Sequence, residues 1–207
     1  MLKDLLKRYP CLSEIKDDII KATDTIINCY ENGGKLLLCG NGGSCADCEH
    51  IVGELMKGFL KKRPVSDIKR AEMKANCPCL EDEIISKLQC GLPAVSLTSM
   101  NALNTAFCND VDPDLIYAQS LMALGTKNDI LIAISTSGNS KNVYAAIKVA
   151  KALGIKVIGL TGASGGKLKE LADICICVPE TETFKIQELH LPVYHYICAE
   201  TEAHVFG

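Results

Sequence analysis

Tryptophan is absent from this chain of 207 residues, and aromatic residues make up only 5% of it. That scarcity disfavours a platform on which unpaired bases could stack. A surplus of one charge is missing as well, with 22 Lys and Arg against 25 Asp and Glu for a net charge of −3. Without a wide basic field, nothing in the sequence is suited to a nucleic-acid backbone. No apolar run approaches the roughly 18 residues that a membrane span needs. The opening stretch MLKDLLKRYP is charged throughout and lacks the apolar core of an export signal. The expectation is a cytoplasmic protein with neither nucleic-acid nor membrane partners.

Cysteine is the exception to this leanness, with 12 residues. Disulfide frameworks belong to small secreted chains that cannot build a core. A chain of this length can bury one, and its length favours a single domain. Most of the cysteines therefore read as small buried hydrophobes in a reducing compartment.

The hydrophobic spacing sets out an alternating order of elements. Residues 2–32 read as helical, with Ser13 as a candidate N-cap, and Asn32-Gly33-Gly34 ends them. Lys35 to Gly40 is a short apolar run of the kind a buried parallel strand shows. A loop Gly40-Asn41-Gly42-Gly43-Ser44 follows, and then a helix over 45–60. Residues 61–91 are polar and read as an insertion, helical around 81–90, whose basic start Lys61-Lys62-Arg63 is expected on a solvated surface. Strands are then expected at 94–98, 129–134, 155–160 and 174–178. Helices are expected at 101–107, 114–124 and 142–153, with a short one between the last two strands and a closing helix over most of 183–205. Pro192 must lie near the start of that helix or kink it. This order implies a three-layer α/β/α fold around a parallel sheet, with a helical N-terminal extension.

Two loops repeat one design. GNGGS follows the strand at 35–39, and Ser135-Thr136-Ser137-Gly138-Asn139-Ser140 follows the strand at 129–134. Each leads from the carboxyl end of a parallel strand into a helix, where open α/β sheets bind ligands. The second loop offers hydroxyls and helix-start amides but no Lys or Arg, and it is not a Walker loop. It suits a phosphate monoester, or else it is an ordinary turn with a Ser cap. The glycines of the first loop allow close approach of a ligand to the backbone.

Four histidines are few enough to weigh one by one. His50 and Glu54 lie four apart on the helix after the first loop, so they share a face. They can ligate one metal or form a simple exposed pair. Gln187 and His195 lie about two turns apart on the closing helix. His190 reads as a core or half-exposed residue, and His204 carries no specific expectation. Cys45-Ala46-Asp47-Cys48 sits at a helix start, where thiols are activated, but it lacks the other marks of a redox motif. Cys77-Pro78-Cys79 with Cys90 offers three thiols and no evident fourth metal ligand.

Four stretches in order, GNGGSCADCEHIVGEL, CNDVDPD, ISTSGNSKNVYAAIKVAKALGIKVIGLTG and ETFKIQELHLPVYH, resemble the sugar isomerase (SIS) family. Within it they are most similar to the sedoheptulose 7-phosphate isomerases, also called phosphoheptose isomerases. The resemblance spans about residues 1–60 and 92–207. It implies a single SIS-type domain over 1–207 and an aldose–ketose isomerase acting through an enediolate. By the same resemblance, Asn41, Gly42, Gly43, Ser44, Asn109, Asp110 and Gln187 contact the sugar. Ser135, Thr136, Ser137 and Ser140 hold its phosphate. His50, Glu54, Gln187 and His195 bind zinc, and Glu54 and His195 act as base and acid. It implies zinc as the one cofactor, with no nucleotide or redox group, and a homotetramer. Where the family often has Arg four residues after that Glu, this chain has Gly58 beside Lys57. A non-catalytic phosphosugar binder, or an isomerase of another phosphosugar, remains the alternative.

Overall fold

The computed structural model describes residues 1–207. Its helices are α1 (Leu2–Arg8), α2 (Lys16–Glu31), α3 (Gly43–Met56), α4 (Asp67–Asn76), α5 (Asp82–Lys87), α6 (Asn101–Asp110), α7 (Ile116–Leu124), α8 (Lys141–Ala152), α9 (Gly166–Leu171) and α10 (Thr183–Val205). The strands are β1 (Leu36–Gly40), β2 (Ala94–Ser96), β3 (Ile130–Ile134), β4 (Lys156–Thr161) and β5 (Ile174–Cys177). All pair in parallel, in the spatial order β2-β1-β3-β4-β5.

The strands lie between two helical layers, and alternate residues face opposite ways. Leu36, Leu38, Ile130, Ile132 and Ile134 pack with Ile19 and Ile26 of α2, Ile51 and Leu55 of α3, and Val193 and Ile197 of α10. Leu37, Cys39, Leu131 and Ala133 pack on the other face with Leu121 of α7 and Ala146, Ile147 and Ala150 of α8. β1 and β3 are buried at every position, which is why both read as unbroken apolar runs. Each fully buried Leu or Ile is worth about 1.5–3 kcal/mol.

The strand order reverses direction between β1 and β3. Crossovers from β1 run to β2 on one side, and those after β3 run to β4 and β5 on the other. The loops after β1 and β3 therefore open into one crevice at a topological switch point.

Several local expectations need correction. Ser13 lies inside a short 3-10 segment, Pro10–Ile15, and does not cap α2, whose N-cap is Ile15. α3 ends at Met56, four residues short of the expected end. Segment 61–91 holds two helices, α4 as well as α5, and Ser66 caps α4 by accepting from Lys69 N–H. Arg63 is not on a solvated surface but wholly buried. Pro192 lies well inside α10, which runs on through it. No helix is long and apolar enough to cross a membrane.

Candidate active site

The glycines of the first loop set the site's geometry. Gly42 adopts φ +57° as it starts α3, a conformation that other residues rarely hold. A Cβ on Gly43 would lie 2.3 Å from Gln187 Nε2, so only glycine lets the α10 side chain rest against this turn. Asn41 and Asn142 exchange amide hydrogen bonds of 2.8 and 2.9 Å. The Tyr117 hydroxyl, 2.9 Å from Asn41 Oδ1 and 2.8 Å from the Gly40 carbonyl oxygen, braces the same residue. The loop after β1 is thereby fixed to the start of α8. Ser44 is buried beneath the turn.

The loop after β3 is held from below and open above. Gly138, at φ +66°, packs so closely on Gly165 that an added Cβ would meet its carbonyl oxygen at 2.0 Å. Ser135 is buried, and its Oγ lies 3.0 Å from Ser140 Oγ. Ser140 is the N-cap of α8 but its side chain makes no capping bond. Thr136 is half-buried and Ser137 exposed. These hydroxyls, with the first amides of α8, form a neutral donor cradle at a helix start.

α3 and α10 cross beside this crevice and bring three groups together. His50 Nε2 lies 3.1 Å from Glu54 Oε1 and 3.4 Å from His195 Nε2. Tetrahedral ligands about 2.0–2.1 Å from a zinc ion stand roughly 3.3 Å apart. The two imidazole nitrogens and one carboxylate oxygen match that edge length, and all three ligand atoms fall within 4.8 Å of one another. Two nitrogens and an oxygen are a donor set that zinc accepts, so these residues fit the ion. Gln187, on the same helix as His195, lies with its side-chain amide against Gly43.

Two residues that the sequence did not single out fix His50. Its Nδ1 lies 3.0 Å from the Tyr194 hydroxyl, which donates to Asp47 Oδ1 at 3.2 Å. Burial raises the Asp47 carboxyl, partly offset by this bond and by His50. Asp47 lies three residues before His50, one turn away on the same helix, and Tyr194 precedes His195. With Tyr194 donating to Asp47, its oxygen is free to accept from Nδ1–H, the tautomer that turns the Nε2 lone pair toward the cluster. Burial, reinforced by His50, lowers the pKa of His195, so its ring also offers a lone pair. Lys57 Nζ stands 3.5 Å from Glu54 Oε2.

Not every candidate joins this group. Asn109 and Asp110 are exposed at the end of α6 and hydrogen-bond to each other at 2.8 Å. α6 buries no residue of its own. His190 is a core residue, held neutral because burial pulls its pKa down to about 4. His204 meets Glu31 at 2.8 Å on the surface. Cys48 is buried and its thiol is pushed well up by that burial, which opposes a redox role for the 45–48 motif. All 12 cysteines are unpaired.

Comparison with known proteins places this geometry. SIS-domain family models match residues 3–76 and 100–196. Phosphoheptose isomerase 2 of Campylobacter jejuni is 40% identical over 205 residues, covering 99% of this chain and 87% of its own. The phosphoheptose isomerase of Aneurinibacillus thermoaerophilus is 41% identical over 180 residues, 87% of this chain and 78% of its own. The solved phosphoheptose isomerase of Neisseria gonorrhoeae superposes with a TM-score of 0.74 at 32% identity, over 98% of this chain and 91% of that one. The chain belongs to the SIS-domain family, among its phosphoheptose isomerases.

Proposed function

We propose that this chain interconverts sedoheptulose 7-phosphate and D-glycero-D-manno-heptose 7-phosphate by moving a proton between C2 and C1. The observation that carries the reading is the meeting of His50, Glu54 and His195 where α3 and α10 cross, in a chain that also carries a hydroxyl-lined loop at the start of α8. The donor cradle of Ser135, Thr136, Ser137 and Ser140 suits the phosphate. The His50–Glu54–His195 cluster suits the carbonyl end, Asn41, Gly42, Gly43 and Gln187 line the approach, and Ser44, buried beneath the turn, offers the sugar no open side chain. Anchoring the phosphate converts binding into orientation of the reacting carbons.

Glu54 is the base. Its Oε1 faces His50 and its Oε2 faces Lys57, so one oxygen can serve as a ligand while the other handles the proton. Removal of the proton alpha to the carbonyl gives an enediolate, and return of the proton to the neighbouring carbon gives the isomer. His195, whose Nε2 faces the same cluster, is the acid that returns the proton. A zinc ion held by His50, Glu54, Gln187 and His195 would supply Lewis-acid polarisation of the carbonyl.

The same reading includes a homotetramer in the cytoplasm. α6 buries nothing within the chain, and Leu103, Val111, Leu115 and Met122 are exposed around it. A second copy on this face would cover them and bring a surface to Asn109 and Asp110. The whole chain is read as one domain, with segment 61–91 as an addition beside the site.

NMR of the reaction in deuterated water tests the proposal. Aldoheptose phosphate carrying solvent deuterium at C2 is expected from the wild type. Glu54→Gln is expected to lower turnover by about 10²–10⁴-fold with the fold intact. No turnover by folded, zinc-supplied wild type would remove the heptose assignment. It would leave another phosphosugar, or binding without catalysis. Normal turnover by Glu54→Gln would overturn the base.

A further inference from the structure

Cys77 and Cys79 bring their Sγ atoms to 3.4 Å, and both residues are exposed. They occupy a reverse turn just past α4. Leu80 N–H donates to the Cys77 carbonyl at 3.0 Å, closing the turn with Pro78 at its second position. Proline presets the backbone angle there. The turn is held from its flanks, because Lys74 donates to the Leu80 carbonyl and pairs with Asp82 at 3.4 Å. Two thiols are thus presented to solvent in contact, on a backbone already bent toward closure.

The other cysteines lack this combination. Cys175 and Cys177 share the spacing, with Sγ atoms 3.6 Å apart, but they sit half-buried on β5. Extended backbone sets their Cα atoms about 6.6–6.8 Å apart, at the limit of disulfide geometry. Burial, with Cys177 beside it, also pushes the Cys175 thiol well up. Cys11 and Cys108 are exposed, but neither has a cysteine neighbour in contact.

We infer that Cys77 and Cys79 form a reversible dithiol site that exchanges with small-molecule disulfides and closes to an intramolecular disulfide. One sulfur, as its thiolate, attacks a sulfur of the small disulfide. The S–S bond breaks, one small thiolate leaves and takes up a proton, and a mixed disulfide remains. The second cysteine, also as its thiolate, attacks the first cysteine's sulfur and expels the other small thiol. The pair loses two electrons and two protons, and the small disulfide becomes two thiols. An exposed disulfide in so small a ring is readily reduced, so the site stays a dithiol in a reducing compartment and closes as the surroundings become oxidising. The site is independent of the isomerase reading.

The test treats the reduced full chain with glutathione disulfide, blocks remaining thiols with an alkylating agent, and maps the tryptic peptide spanning residues 75–87. In the wild type that peptide is expected to be two hydrogens lighter and unalkylated, and dithiothreitol restores both thiols. Cys79→Ser is expected to stop at the mixed disulfide on Cys77. Its adduct should exceed the wild-type adduct about tenfold or more, because the tethered second thiol resolves it in the wild type. Full alkylation of both residues while Cys11 and Cys108 take up glutathione would overturn the proposal. So would a mixed disulfide that persists equally in wild type and variant.

Discussion

Glu54 belongs to two charged clusters built on opposite principles. Its side chain enters the open group with His50 and His195. Its backbone carbonyl accepts from Arg63 Nη2 at 3.2 Å, and the Leu55 carbonyl accepts from Nη1 at 2.6 Å. Arg63 thus satisfies carbonyls at the end of α3, where cations are favourable. It pairs with Glu202 of α10 at 2.7 Å, and the two side chains are 0% and 1% exposed. Glu202 also accepts from the backbone N–H groups of Phe59, Leu60 and Lys61 at 2.7–3.1 Å. This cluster is closed, with its charges matched and its acceptors filled.

The open cluster is the reverse. His50 is 42% exposed at its side chain, and its Nε2 and that of His195 face each other across 3.4 Å. The closed cluster fixes α3 against α10, and the open one leaves its nitrogens and carboxylate turned toward one another at the crossing of the same helices. The difference separates charges whose partners are all supplied by the fold from charges left with unfilled valence.

Breaking the closed cluster has the largest expected effect on stability. Glu202→Gln leaves Arg63 buried without its counter-charge, which costs about 3–5 kcal/mol. Denaturant unfolding should show that loss, and Arg63→Met with Glu202→Leu should not recover it, because the backbone N–H groups of residues 59–61 and the carbonyls of Glu54 and Leu55 would lose their partners. Filling the open cluster should act with the opposite sign. Zinc at about 100 times its dissociation constant should stabilise the wild type by about 2.7 kcal/mol. Thermal unfolding with and without a chelator measures this, and His195→Ala should abolish the difference.

Smaller effects refine the contrast. Tyr194→Phe removes the hydroxyl between His50 and Asp47. Metal affinity should fall about 10–100-fold in competition with a chromogenic chelator, while stability without metal stays within about 1 kcal/mol. The least visible effect is in acid. Burial by itself would raise the Glu202 carboxyl, but its backbone and Arg63 donors outweigh that and hold it below the usual range. A depressed carboxyl adds stability above its unfolded value and loses it as pH falls through the folded value. The unfolding midpoint should therefore drop more steeply below about pH 4 in the wild type than in Glu202→Gln.

Much of this was legible in the residues. β1 and β3 are buried on both faces, so their apolar runs stood out from neighbouring segments. The loops after them needed glycine and hydroxyl residues in one contiguous stretch, which spacing displays directly. The resemblance implies Gln187 and His195 as partners of a pair that spacing alone leaves open; the structure brings His195 to His50 and Glu54. The 3-10 start of the N-terminal region was not legible, because Pro10 and not Ser13 decides where the helix begins again. Arg63 follows two lysines, a pattern that by itself predicts a solvated surface. Its partner lies 139 residues away, and no local pattern carries that contact.

The sequence by itself determined the order of elements, the parallel sheet and the glycine-rich and hydroxyl-rich loops after β1 and β3, because periodicity and turn chemistry are local. The tertiary structure alone decided that His50 meets His195 at metal-ligand spacing, that Tyr194 and Asp47 orient His50, and that Arg63 is buried against Glu202. Those contacts depend on how α3 and α10 cross, and packing across the sheet sets that crossing.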